Sequence, residues 1–165
     1  MKNIIFISGI CGCGKSSICE YIKNNNLFDN YNIYDIDELE NVNDYNEDDY
    51  NLFYLNSINK AISKSKDKDI IIFSCINHND LNSIKIDGVS FKILLITCSK
   101  DEITKRLKER DKSRNCSDDT FINEQLKYQD WFISNMDYYD GNFDNTSISL
   151  KEISENIVEF IKLNF

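Results

Sequence analysis

The chain predicts an α/β fold of three layers, a parallel β-sheet with helices on both faces. Three observations carry this. Short apolar runs alternate with amphipathic helical stretches along its length, the pattern of strands joined by crossover helices. The run Ile70-Ile71-Ile72-Phe73 is nearly continuous in apolar residues, as in a strand buried on both faces. A glycine-rich stretch lies between the first apolar run and the first helical pattern, at a strand-to-helix turn.

Strand one is expected over Asn3–Ser8 and helix one over about Lys15–Asn25. Strand two is expected over Tyr31–Ile36. A long helix follows over Asp48–Ser65, with Leu52, Leu55, Ile58 and Ile62 on its buried face. The acidic stretch Asp44–Asp49 before it reads as loop. Strand three is placed at Asp69–Ser74 and strand four at Phe91–Thr97. Helices are expected from Lys100 to Asp111 and from Asp118 to about Met136, with a short fifth strand at Phe143–Ile148. Ser149 and Glu152 form a capping-box pattern. Leu150, Ile153, Ile157, Phe160 and Ile161 then mark the buried face of the last helix.

The 165 residues suggest one domain, large enough for a real core, and no repeat or linker divides it. Net charge is −9, a field that repels polyanions and disfavours nucleic acid as a partner. No apolar stretch reaches the ~20 residues of a membrane helix. Met1-Lys2 leads directly into strand one, leaving no room for a signal peptide. The expectation is a cytoplasmic protein with no membrane partner, a monomer or homodimer. The six cysteines then read as free thiols. Cys19, Cys75 and Cys98 have apolar neighbours and read as small buried hydrophobes. Cys11 and Cys13 lack a partner at zinc spacing. A helix N-terminus lowers a thiol pKa, so oxidation of Cys13 is expected to block whatever the loop binds.

Gly9-Ile10-Cys11-Gly12-Cys13-Gly14-Lys15-Ser16 fits G-x-x-x-x-G-K-[ST] at every fixed position. The motif cradles phosphates: its glycines let backbone N–H groups point inward, and the helix start adds unpaired N–H groups. Gly9, Cys11, Gly12, Cys13, Gly14, Lys15, Ser16 and Ser17 are the nucleotide-binding candidates. Lys15 is expected to reach the β- and γ-phosphates of ATP, and the Ser16 hydroxyl to ligate Mg²⁺.

Ligands of open parallel sheets bind at the carboxyl ends of the strands. Strand two ends Asp35-Ile36-Asp37. In an extended segment residues two apart share a side. Asp35 is expected to hold Mg²⁺, and Asp37 to orient an acceptor hydroxyl and take its proton. Strand three ends in Ser74 rather than a carboxylate, which leaves the metal to Asp35. Arg106, Arg110 and Arg114 are the only arginines, spaced four apart among sixteen lysines. Arg106 and Arg110 are expected on one helix face, and Arg114 in a short lid at about 111–118. Guanidinium suits a transferring phosphoryl group, so all three are catalytic candidates beside Lys15.

Together, the loop, the Asp pair and the helix Arg106-Leu107-Lys108-Glu109-Arg110 resemble the phosphate-loop kinases. That group includes nucleoside monophosphate kinases, shikimate kinase and antibiotic phosphotransferases. The resemblance implies a P-loop kinase fold, five parallel strands in the order 2-3-1-4-5. It implies a short lid and an acceptor-binding segment at about 37–66. It also places adenine near Arg106 and the loop Asn145-Thr146-Ser147, which makes Thr146 a nucleotide-binding candidate. One departure bears on the acceptor. Nucleoside monophosphate kinases hold the acceptor phosphate with arginine after strand two and at the end of strand three. Here no Lys or Arg occurs between Lys23 and Lys60, and Ser74–His78 has none.

The lead expectation is an ATP-dependent phosphotransferase acting on a small hydroxyl acceptor: a nucleoside, a polyol or an amine-bearing molecule. The alternatives are a nucleoside monophosphate kinase and a nucleotide-binding module or slow NTPase switch acting through a partner. A GTPase is disfavoured, since Asn59-Lys60 is followed by Ala61-Ile62 rather than a guanine motif. His78 reads as a loop or helix-cap residue. Tyr128, Trp131 and Phe132 read as core rather than a base-stacking platform.

Overall fold

The computed structural model describes residues 1–110 and 117–165. The five strands are β1 (Lys2–Ser8), β2 (Tyr31–Asp35), β3 (Asp69–Phe73), β4 (Val89–Thr97) and β5 (Gly141–Asp144). All pair in parallel, in the order β2-β3-β1-β4-β5, the order the family resemblance implied. The helices among the described residues are α1 (Lys15–Asn24), α2 (Tyr50–Lys64), α3 (His78–Ser83), α4 (Lys100–Glu109), α5 (Asp119–Ser134) and α6 (Leu150–Asn164).

The core sits on the central strands. Ile4 to Ile7 of β1 and Ile70 to Ile72 of β3 are wholly buried, each side chain worth about 1.5–3 kcal/mol of burial. Their lack of polar alternation is what places them inside, with β2 and β5 at the edges. Packing of α1 against α6 draws the last helix beside the first.

Several boundaries and faces differ from expectation. β5 lies at Gly141–Asp144, not Phe143–Ile148, because Asp140 hooks the chain onto β4 by accepting from Ile93 N at 2.8 Å. α2 is preceded by short 3₁₀ turns at Val42–Asp44 and Glu47–Asp49, and it buries Phe53, Ser57, Ile58 and Ala61. Of the expected face Ile58 is buried and Leu55 and Ile62 are partly buried, but Leu52 is 49% exposed and Phe53 takes its place. Leu150 is 41% exposed, while Ser154 and Val158 join Ile153, Ile157 and Ile161 in the core. The α6 cap holds, Ser149 Oγ accepting from Glu152 N at 3.2 Å. α3 was not expected; its start is capped by the Asn77 side chain.

Candidate active site

The phosphate loop runs from Gly9 to Ser16, between β1 and α1. Two glycine positions are set by sterics. Gly14 has φ 103°, and a Cβ there would run into the Asn145 side chain. Gly9 has φ 154°, and its Cβ would stand 2.5 Å from the Ile96 carbonyl oxygen. Helices α3, α4, α5 and α6 each begin with a side chain that caps a backbone N–H; α2 does not, and neither does α1. Its first-turn donors are left for a ligand, and no acidic residue opposes an anion there. Gly14→Ala is expected to cost at least about 1–2 kcal/mol from the left-handed backbone alone. Nucleotide affinity falls with it. Thermal unfolding and nucleotide titration check this, and an unchanged melting midpoint would overturn the account of Gly14.

Lys15 folds over the loop. Its Nζ donates to the carbonyls of Gly9 and Ile10, both at 2.8 Å, with Cys13 Sγ at 3.8 Å. Burial pulls its pKa down, but the thiols of Cys13, Cys75 and Cys11 outweigh that and raise it, so the ammonium stays charged. Three distant side chains brace the loop. Asn145 Nδ2 donates to Cys13 O at 2.8 Å, and Arg106 Nη1 approaches Gly12 O and Cys13 O at 3.5 and 3.4 Å. Gln125 Oε1 accepts from Cys11 N at 3.0 Å.

Ser16 Oγ donates to Asp35 Oδ2 at 2.8 Å. A hydroxyl beside a carboxylate is an oxygen donor set suited to a hard cation. Among the described residues no three His, Cys, Asp or Glu side chains converge as a metal site. The set fits Mg²⁺ bound with a nucleotide rather than in an all-protein cage. Asp35 and Asp37 do meet, but not by strand alternation. β2 stops at Asp35, whose Oδ1 caps the 3₁₀ turn Ile36–Glu38 by accepting from Asp37 N at 3.3 Å. Asp35, Asp37, Lys15 and Ser16 all face one cavity of about 530 Å³.

The arginines divide. α4 ends at Glu109, so Arg110 lies just beyond the helix and faces the large cavity, apart from Arg106. Arg106 pairs with Glu102 at 2.8 Å, and its Nη2 donates to Asn145 O at 3.1 Å. It lines a separate 240 Å³ pocket with Gly14, Ser17, Asn145, Ile148 and Leu150, where the resemblance had put adenine. Thr146 turns its hydroxyl to Ser99 N at 2.8 Å, at the start of α4. Arg114 and most of the expected lid lie outside the described residues.

Cys13 is fully buried and burial pushes its thiol pKa up, so the expected sensitivity of Cys13 does not fit its setting. Cys75 is the more reactive candidate. It is half-buried on the large cavity, not a core residue. Its hydrogen bond with Cys11, resisted by burial and aided by Lys15, holds its thiol below the ordinary range. Cys75 is therefore expected to alkylate with iodoacetamide at a pH midpoint below the free-thiol value of about 8.5. Peptide mapping across pH checks this; Cys13 labelling first, or a Cys75 midpoint above 8.5, would count against it. The described cysteines are free.

His78 is buried at the start of α3, stacked between Trp131 and Tyr138 at 5.3 and 4.5 Å. It faces a different, 460 Å³ hollow beside β4 and not the phosphate loop. Phe132 is core as expected, whereas Tyr128 is on the large cavity. Gln125, Gln129 and Asn145 were not anticipated as supports. Gln129 accepts from Cys98 N at 3.3 Å and donates back to Cys98 O, tying α5 to the end of β4. The signal was present: Gln125 and Gln129 stand four apart on the aromatic face of α5.

The loop, the helix start behind it and the sheet order define a phosphate-loop nucleotide-binding domain with the fold of the small-molecule kinases. The AAA_18 family, described as an AAA domain, matches residues 5–127, and the chain belongs to that family. No curated protein matches the sequence. Among solved structures, a sugar kinase from Janibacter sp. HTCC2649 is similar at 13% identity and TM-score 0.69, covering 99% of this chain and 96% of its own. The shikimate kinase of Bacteroides thetaiotaomicron aligns at 14% identity and TM-score 0.62, covering 96% and 98%. That of Aquifex aeolicus aligns at 15% and 0.54, covering 98% and 97%. At these identities the likeness is one of fold. Among the described residues no helix is long and apolar enough to cross a membrane.

Proposed function

We propose that the protein is a phosphotransferase that moves the γ-phosphoryl group of ATP to the hydroxyl of a small acceptor lacking a phosphate. The observation that carries this reading is the Ser16–Asp35 pair at 2.8 Å, set beside Lys15 and Asp37 on the wall of one cavity. The loop N–H groups and Lys15 bind the β- and γ-phosphates. Ser16 and Asp35 would hold Mg²⁺, which would supply neutralisation of the phosphate charge. Asp37 orients the acceptor hydroxyl and accepts its proton. Arg110, which faces the same cavity, stabilises the transferring phosphoryl group, and Arg114 is the further candidate for that role. Arg106 braces the loop and edges the proposed adenine pocket, where Ile148 and Leu150 supply apolar contact.

A nucleoside monophosphate acceptor is disfavoured. Residues 24–59 and 69–84, the segments after β2 and around the end of β3, contain no lysine or arginine. The test is a coupled ADP-release assay with Mg·ATP across polyols, amino alcohols, nucleosides and nucleoside monophosphates. Stimulation by phosphate-free acceptors is the expected result. Stimulation by nucleoside monophosphates alone would overturn the acceptor assignment. Tight ATP binding with no stimulation by any compound would favour the switch.

A further inference from the structure

The acceptor half of the large cavity has a composition that points to one substrate class. Its walls are rings: Tyr50, Phe53 and Tyr54 from α2, and Phe121 and Tyr128 from α5. These walls are braced, Tyr54 against Phe53 at 5.2 Å and Tyr128 against Phe132 at 4.6 Å. Besides Asp35 and Asp37, one further carboxylate faces the cavity: Asp80 of α3.

Asp80 is held in place. Its Oδ2 accepts from Asn77 Nδ2 at 2.6 Å, and its backbone N–H donates to Asn77 Oδ1 at 2.9 Å. Asn77 Nδ2 also donates to the Tyr128 hydroxyl at 3.0 Å. That bond uses Tyr128 as an acceptor and leaves its proton to be donated elsewhere. Among the described residues Asp80 forms no ion pair with lysine or arginine. Burial raises its carboxyl pKa, against the pull of the Asn77 hydrogen bonds and of His78. A half-buried carboxylate that no lysine or arginine pairs among the described residues, beside aromatic faces, is a setting that an alkylammonium compensates through an ion pair and cation–π contact.

We infer that the acceptor is a small hydroxyl compound carrying a cationic amine, and that Asp80, with Tyr128 beside it, is the residue that selects it. This rests on the phosphotransferase reading above for the hydroxyl end of the molecule. The amine anchors at Asp80 while the hydroxyl is presented to Asp37. The net charge of −9 draws such cations toward the site. The space, shared with the phosphates, suits a molecule of monosaccharide size or smaller.

The test pairs amines with their hydroxyl isosteres: ethanolamine with ethylene glycol, 3-aminopropan-1-ol with propane-1,3-diol, glucosamine with glucose. Adenosine is the uncharged aromatic comparison. Each is titrated calorimetrically at pH 7 into the protein saturated with a non-hydrolysable ATP analogue. At least one amine is expected to bind tenfold or more tightly than its isostere. Asp80→Asn, which keeps a hydrogen-bond acceptor for Asn77, is expected to erase that preference, and Tyr128→Phe to weaken it. Titration of the ATP analogue itself shows that each variant is folded. Equal binding of amine and isostere, a preference that survives Asp80→Asn, tighter binding of adenosine than of every amine, or no binding at all overturns the inference. A coupled ADP-release assay separates the two readings. Release driven equally by polyols and amines sinks the cation anchor and leaves the phosphotransferase standing. Amine binding that depends on Asp80 but triggers no release does the reverse.

Discussion

Replacing Lys15 by alanine is expected to lower kcat/KM for phosphoryl transfer on the order of 10³-fold or more, the scale of deleting a charge that stabilises a transferring phosphoryl group. The ammonium is held over the loop by the Gly9 and Ile10 carbonyls at 2.8 Å. Its removal leaves the γ-phosphate facing backbone N–H groups alone. It also leaves two inward carbonyls without their donor, so nucleotide affinity falls as well. Steady-state kinetics and nucleotide titration measure the two losses. Turnover near the wild-type rate would remove Lys15 from the reaction.

Asp37→Asn is expected to separate chemistry from nucleotide binding. The amide keeps the shape of the carboxylate but cannot take a proton, so turnover falls by roughly 10²–10³-fold, within the range for a positioned general base. Affinity for ATP is expected to stay within about threefold, because the proposed arrangement rests the phosphates on the loop and not on Asp37. Asp35→Asn would behave differently, weakening Mg²⁺ dependence first, since Asp35 and not Asp37 meets Ser16. An Asp37→Asn enzyme of normal turnover would leave the acceptor without its base.

The residues that sequence reasoning placed well are those whose neighbours are local. Ile4–Ile7 and Ile70–Phe73 announced buried strands because a parallel sheet covered on both faces tolerates no polar alternation. The loop was legible because its chemistry is contiguous. What was missed depends on distant partners or weak local patterns. Gly141-Asn142-Phe143-Asp144 is a polar edge strand, so Ile148 drew the expected strand too far along. α3 is only six residues of mostly polar character, below the length at which periodicity shows. Leu52, Phe53, Tyr54 and Leu55 offer two overlapping stripes, and tertiary packing chose the one with Phe53. Arg106 was read as facing a phosphate, whereas part of its guanidinium is committed to Glu102 and to loop carbonyls over ninety positions away. Cys75 looked like core because its neighbours in sequence are apolar; its neighbours in space are Cys11 and Lys15. The Asp pair was found by an argument from strand geometry, yet it is a helical cap that joins the two residues.

The bracing of the loop by Asn145 has a consequence for how the chain acquires its activity. That hydrogen bond joins residues 132 positions apart, and Gln125 and Arg106 reach the loop across 114 and 94. A ribosome would emit the whole glycine motif long before any of these supports exists, and closing such spans is slow. The nucleotide pocket is thus among the last parts of the molecule to mature. A ligand that recognises only the finished loop then draws late intermediates toward the native state by mass action. Refolding yield should therefore rise with ATP concentration, while chains cut before Asn145 gain nothing from it.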